Sequence, residues 1–201
     1  MSRAFSDIAF TPAVRNRQAE AGSRMQYARL DRAPDRRDRL GAGEAEFIAG
    51  RDGFYQATVS ETGWPYVQFR GGPAGFLKVL DDKTLGYADF RGNLQFISVG
   101  NLSQDDRISL ILMDYAERAR LKIMGRARLV DASDDATLMA KLQSPGYPAK
   151  VERAVLISVE AFDWNCPQHI TPRFTRDEVR AALVPLQEEN ARLRRQLAER
   201  A

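Results

Sequence analysis

Cys166 and His169, in the stretch DWNCPQHITPRF (163–174), are the single cysteine and the single histidine of this 201-residue chain, three positions apart. Two chemistries use such a pair. A zinc site needs about four nitrogen or sulfur ligands, or about three in a catalytic centre. One Cys and one His fall short of that, so no metal site is expected. A Cys-His nucleophile needs both groups within hydrogen-bond reach and a third group to orient the base. The intervening Pro-Gln permits that geometry without enforcing it, and local cysteine signatures do not transfer between families. His169 therefore stands as the one weak catalytic candidate, with Cys166 as a possible pocket residue beside it.

A second chemistry is suggested by RGNLQFISVGNLSQDD (91–106). Leu94, Ile97 and Val99 suggest a short helix beginning near Asn93, with Arg91 and Gly92 just ahead of it. A strand-to-helix turn of this kind offers free backbone N–H groups and a positive dipole end to an anion such as a phosphate. An ordinary connection carrying a solvated arginine fits the same residues equally well.

The surrounding elements must hold these groups in place. Thr11 as N-cap, Pro12 at the first helical position and Gly22 as a stop predict a short N-terminal helix, and GEAEFIAGR (43–51) predicts a second. Strands follow at 54–60, 65–70, 75–80, 84–90, 107–115, 119–131 and 153–164, with a helix at about 134–143. Tight turns between short strands argue for an antiparallel meander. Gly125, inside an otherwise alternating strand, marks a bulge. The fold class is mainly β (α+β), a six- to seven-stranded antiparallel barrel or sandwich with short flanking helices.

The C-terminal segment opens with a capping box, Thr175 and Glu178. Leu183, Leu186, Asn190, Leu193 and Leu197 then recur at spacings 3, 4, 3, 4, placing Leu183, Asn190 and Leu197 at a and Leu186 and Leu193 at d. Glu189 at g and Arg194 at the following e suit a parallel pair, and a single Asn at a favours two strands. Pro185 is expected to kink or restart the helix. Barely two heptads would supplement a larger interface without holding a dimer alone; the rival reading packs the leucine stripe on the chain's own barrel.

Composition sets the frame. With 44% hydrophobic and 28% charged residues the chain reads as soluble and globular. It has no 18-residue apolar run and no secretory leader, and one cysteine allows no internal disulfide, so a cytoplasmic protein without a membrane partner is expected. The net charge of +3 arises from residues 1–40, where nine Arg face five Asp plus Glu. In RLDRAPDRRDRL (29–40) the signs are interleaved and no aromatic is present for bases, so a solvated, partly self-paired linker is expected, and no nucleic acid. Three segments result: helix and basic linker (1–42), β domain (43–174), zipper-like helix (175–201).

TVSETGWPYVQFRGGP (58–73), followed by GFLKVLDDKTLGYADFRGN and RLKIMGRARLV, resembles the pyridoxamine 5'-phosphate oxidase-like, FMN-binding split-barrel family over about residues 43–165. The resemblance implies a homodimer of split barrels with FMN at the interface, acting as a flavin-dependent oxidoreductase on an unidentified small molecule; a non-catalytic FMN carrier or sensor is the alternative. It implies that the strand ending in Arg70 lays Gly71 and Gly72 beside the flavin, that Ala88, Asp89, Arg91, Asn93 and Gln95 stand where members hold the FMN phosphate, and that Arg120 contacts the partner's flavin. Trp164 joins the cofactor set, while Lys78 and His169 fall to substrate. The family's usual Ser-Arg-Lys at the phosphate is absent, and the oxidases' Arg-x-His near the C-terminus is replaced by Gln168-His169, which points away from pyridoxamine phosphate as substrate.

Overall fold

The computed structural model describes residues 2–34, 36–164 and 167–199. Cys166 thus lies outside the described residues. The leading segment forms three short helices, α1 (Arg3–Ala9), α2 (Pro12–Glu20) and α3 (Arg24–Ala28). Thr11 caps α2 as its sequence indicates, its hydroxyl accepting from the Val14 N–H at 3.4 Å. The basic stretch is partly self-paired, since the Asp31 carboxylate takes both Arg15 and Arg24. Next come α4 (Ala42–Ala49), β1 (Gly53–Val59), β2 (Pro65–Gly71), β3 (Lys78–Val79), β4 (Thr84–Phe90), α5 (Ile97–Gln104), β5 (Arg107–Asp114), β6 (Ala119–Asp131), α6 (Ala136–Leu142), β7 (Val151–Trp164) and α7 (Arg176–Ala198).

The strands form a seven-stranded antiparallel sheet in the order β2-β1-β5-β6-β7-β4-β3. β2 and β3 are its two edges, so the sheet curls into a split barrel without closing. Strict alternation builds the interior. Phe54, Leu110, Leu112, Leu121, Ile123, Leu85, Tyr87, Val155 and Ile157 point inward and form one buried cluster with Ile48, Phe76 and Leu77. Burying each of these aliphatic side chains stabilises the fold by about 1.5–3 kcal/mol relative to exposure. The predicted bulge is present as a register shift at the Met124–Gly125 step, where the unpaired extra residue is Glu160 on the facing strand β7. There the strands approach so closely that a Cβ on Gly125 would lie 2.4 Å from the Ser158 carbonyl oxygen.

Three expectations need correction. The strand foreseen at 75–80 shrinks to Lys78–Val79, because the Gly75 N–H bonds the Arg51 carbonyl and the chain turns to bury Phe76 and Leu77. The helix foreseen from Asn93 starts at Ile97, because Leu94 and Phe96 adopt left-handed backbone (φ 62° and 53°) that cannot propagate a right-handed helix. Pro185 does not interrupt α7. It withholds one backbone hydrogen bond, and on an exposed helix the carbonyl so released is open to water.

The outer face of the sheet is covered unevenly. α6 lies over β4 and β7, packing Leu142 on Ala88 and Ala154. α1, an element the sequence reading did not foresee, lies over β7, packing Ala4 and Phe5 on Ala161, and the Ser2 hydroxyl donates to the Phe162 carbonyl at 2.9 Å. Over β2, β1 and β5 the face is bare and apolar: Val67 is 61% exposed, Phe69 58%, Tyr55 41% and Ile111 36%. The register sets Tyr55 between Phe69 and Ile111. No helix among the described residues is long and apolar enough to cross a membrane.

Candidate functional site

The opening between edge strand β2 and β4 is spanned by side chains where backbone pairing is missing. On β2, Gln68 and Arg70 share the inward face; on β4, Asp89 shares it with Leu85 and Tyr87; on β7, Arg153 shares it with Val155 and Ile157. The Asp89 carboxylate, 4% exposed, receives Arg70 Nη1 at 2.7 Å and Arg153 Nη1 at 2.8 Å. A buried charge is tolerated when it is paired and hydrogen-bonded, and this triad ties three strands across the split. Ser98 of α5 adds a bridge, its hydroxyl donating to Gln68 Oε1 at 3.0 Å. Deeper in, Asn101 Nδ2 donates to the Thr58 hydroxyl, and the Tyr87 phenol donates to Gln56 Oε1 at 2.5 Å. Burial pushes that phenol well above its ordinary pKa, with the Arg70 charge opposing the rise, so it stays a donor at any working pH.

Above the triad lies a cavity of about 250 Å³ between β2, the end of β4, the loop 91–96, the first turn of α5 and the start of β7. Its charged groups are Arg70, Arg153, Asp89 and Glu152, and Arg91, half exposed, sits at its margin with its Nε 3.7 Å from Glu152. Three guanidiniums against two carboxylates leave one net positive charge. The Arg153 guanidinium stacks over the Phe96 ring at 5.3 Å. Ile97, Ser98 and Val99, the first turn of α5, also line the cavity, and no side chain caps that helix. The first N–H groups of a helix have no intrahelical acceptor, so α5 presents donors and a positive dipole end here. The Arg70 Nε is buried and has no hydrogen-bond acceptor among the described residues. Such a donor is costly to leave unmet, and an anionic or carbonyl-bearing ligand in the cleft would satisfy it.

The sequence-derived residues fall into three groups. Arg70, Asp89, Asn93 and Gln95 line the cavity with Gly92, and Arg91 adjoins it. Asn93 shapes the loop by accepting the Gln95 N–H at 3.2 Å. Gly71 and Gly72 make room for this chain's own rings, since a Cβ on Gly71 would come within 2.9 Å of Phe69 and one on Gly72 within 2.7 Å of Phe76. The Ala88 side chain is on the far face of β4 beneath α6. The remaining residues are elsewhere. Arg120 and Trp164 lie where β6 and β7 meet at their other ends, roughly 35 Å of extended strand away from Arg153. Arg120 pairs with Met113 on the outer side of the sheet, its Nε buried and without an acceptor among the described residues. Trp164 packs edge-on against Phe47 and donates its indole N–H to Glu44 at 2.8 Å. Burial pushes the Glu44 carboxyl up, yet this bond and one from the Gly41 N–H outweigh it and hold the group below its ordinary value. Lys78 sits on edge strand β3 with its ammonium 3.4 Å from the Gly75 carbonyl. His169 is exposed in a turn, with φ 65°, and borders no cavity described here.

Arg153 and Gln68 are functional candidates that the sequence reading missed. A signal was present: Arg153 continues the Val155, Ile157, Val159 alternation, which puts a charge on a core-facing position. Among the described residues no group of three His, Cys, Asp or Glu side chains could hold a metal ion.

Comparison with known proteins bears on this geometry. Residues 44–161 match the family model described as pyridoxamine 5'-phosphate oxidase. HupZ of Group A Streptococcus is 18% identical and superposes with a TM-score of 0.51 over 67% of this chain and 99% of its own. A putative pyridoxamine 5'-phosphate oxidase of Lactobacillus delbrueckii, also 18% identical, reaches 0.48 over 63% of this chain and 94% of its own. An FMN-binding protein of Syntrophomonas wolfei is 12% identical, with 0.45 over 74% and 97%. A search of curated proteins gave no match. At this identity HupZ speaks for the fold alone.

Proposed function

Because the chain belongs to the pyridoxamine 5'-phosphate oxidase family, we propose that it binds FMN as a homodimer and works as a flavin-dependent oxidoreductase on a small molecule. The carrying observation is the cleft, where Arg70, Arg91 and Arg153 converge on the uncapped first turn of α5 and a buried Arg70 N–H lacks an acceptor. These donors fit a phosphate-bearing cofactor. FMN would supply hydride and electron transfer, leaving the protein to bind, orient and tune it. Arg91 and the α5 N–H groups would hold the phosphate, while Asp89 keeps Arg70 and Arg153 in place. Gln68 offers a hydrogen-bonding partner to a ring edge.

Two features support the dimer. A cavity of about 250 Å³ is smaller than the roughly 300–1,000 Å³ of pockets that bury most of a drug-sized ligand, so a partner surface is needed to complete it. The bare face over β2, β1 and β5 offers that surface, since contiguous exposed apolar patches rimmed by polar residues mark interaction sites. Arg120, on the adjoining part of the outer side, has a buried donor ready for a group on the partner.

The test is an FMN titration of the purified protein, followed by absorbance and flavin fluorescence, with wild type beside Arg91→Ala. Saturable binding, weakened by more than twofold (about 0.4 kcal/mol) in the variant, is expected; an effect within twofold removes Arg91 from the phosphate site. A second reading, a flavin binder without turnover, is favoured by the exposed position of His169 away from the cleft. Bound flavin that NAD(P)H fails to reduce would select it.

A further inference from the structure

We propose that α7 pairs with α7 of a second copy as a parallel, in-register coiled coil over residues 179–197, locking the two barrels together at their C-termini. The proposal rests on the homodimer reading above and goes beyond it by assigning a second interface. The seam is longer than the leucine repeat alone, because Val179 occupies the d position ahead of Leu183. Val179, Leu183, Leu186, Leu193 and Leu197 are between 45% and 68% exposed, and every described residue of the helix faces solvent. Among the described residues these leucines are therefore not packed on the chain's own barrel. A stripe of five apolar residues on one face of a 23-residue helix is uncovered until another surface takes it.

Charge selects a copy of the same helix and sets its direction. The g positions are Ala182, Glu189 and Gln196, and the e positions are Arg180, Gln187 and Arg194. A parallel pair sets each g opposite the e five residues on, which brings Glu189 to Arg194 of the copy twice by symmetry. An antiparallel pair sets g against g and e against e, and these residues then offer like charges or neutral contacts with no attractive pair. Exposed ion pairs contribute little stability, so their role here is to choose orientation. Asn190 at a meets itself across a parallel two-stranded seam and fixes register, because any shift buries its amide against leucine.

The root of the helix agrees with a supplementary role. The Arg173 guanidinium stacks on Tyr115 at 4.9 Å, the Tyr115 phenol interacts with that of Tyr55, and Tyr55 belongs to the bare apolar face. Two helices so rooted start beside the barrel interface, and joining the barrels raises the effective concentration of one helix for the other into the millimolar range. That compensates for a helix too short to dimerise strongly alone.

The test uses full-length protein carrying Cys166→Ser, which removes the native thiol, with a new cysteine at Leu183→Cys (an a position) or Glu188→Cys (an f position). After mild oxidation, non-reducing gels should show a covalent dimer for Leu183→Cys at least tenfold more abundant than for Glu188→Cys. Sedimentation of the reduced proteins reports the barrel dimer separately. A dimer that gives no excess disulfide at Leu183 overturns the zipper and leaves the barrel interface standing. Monomers without cross-linking overturn both. Cross-linking that requires mixing Leu183→Cys with Leu193→Cys, an a and a d position that face each other only in an antiparallel pair, overturns the parallel direction. Because every described residue of α7 is exposed, these variants should keep the wild-type melting temperature, which a circular dichroism melt verifies.

Discussion

Asp89→Asn separates the structural and functional roles of the cleft. The carboxylate binds two guanidiniums, at 2.7 and 2.8 Å. Asparagine keeps the shape and one acceptor but removes the charge. A hydrogen bond to a charged group contributes about 1.5–3 kcal/mol and a neutral one about 0.5–1.5, so one bond downgraded and one lost, with the new amide NH2 facing a guanidinium, cost at least about 2 kcal/mol together. The larger figure for stripping a partner from a fully buried pair, about 3–5 kcal/mol, is an upper bound, because the Arg70 and Arg153 side chains remain 18% and 13% exposed. For a chain of this length about 2 kcal/mol lowers Tm by about 4–8 °C. Phosphate affinity should move the other way, since the local balance rises from one net positive charge to two and both guanidiniums are released toward the cavity. A circular dichroism melt and an FMN titration on the same preparation check both signs. An unchanged Tm would refute the triad as the tie across the split, and weaker FMN binding from a folded variant would refute the cleft as the phosphate site.

Other expectations follow from the same geometry. Gly125→Ala should destabilise by about 1–3 kcal/mol through overpacking, because its Cβ would strike the Ser158 carbonyl backbone at 2.4 Å; a denaturant melt reads this out, and a neutral result would show that the bulge has room. Glu44 has a lowered folded pKa, so its contribution is present above the ordinary value of 4.5 and lost as pH falls below it. Trp164 emission should therefore change between neutral pH and about pH 3, and Glu44→Gln, which lacks that ionisation, should flatten the transition; identical profiles would remove Glu44 as its cause. Val67→Glu, on the bare face, should convert the dimer to monomer or weaken it at least tenfold in sedimentation, and an undisturbed dimer would place the barrel interface elsewhere.

Much of the architecture was legible because alternation and turn chemistry are local. The bulge at Gly125 followed from one glycine in an alternating strand, and the caps at Thr11 and Thr175 from residue type and spacing. The start of α5 was not legible, because Leu94 stands three positions ahead of Ile97 as a helical residue would, yet Leu94 and Phe96 adopt left-handed backbone, with the Arg153 guanidinium lying over Phe96. Burial shortened β3, where Phe76 and Leu77 have strand propensity but are drawn into the core.

By itself the sequence determined which residues could face inward, where helices begin with a cap, and the 3-4 spacing of the leucines in α7; each depends on neighbours within a few positions. Only the tertiary structure decided that Arg70, Asp89 and Arg153, from three strands, meet at one point, because contacts across a split sheet depend on strand order and curvature that spacing does not encode. It also decided which part of the outer face stays bare. The strands β1 and β5 alternate like β7, yet α1 and α6 cover β7 and leave β1 and β5 open, and coverage is a property of where helices dock and not of the strand they would dock upon.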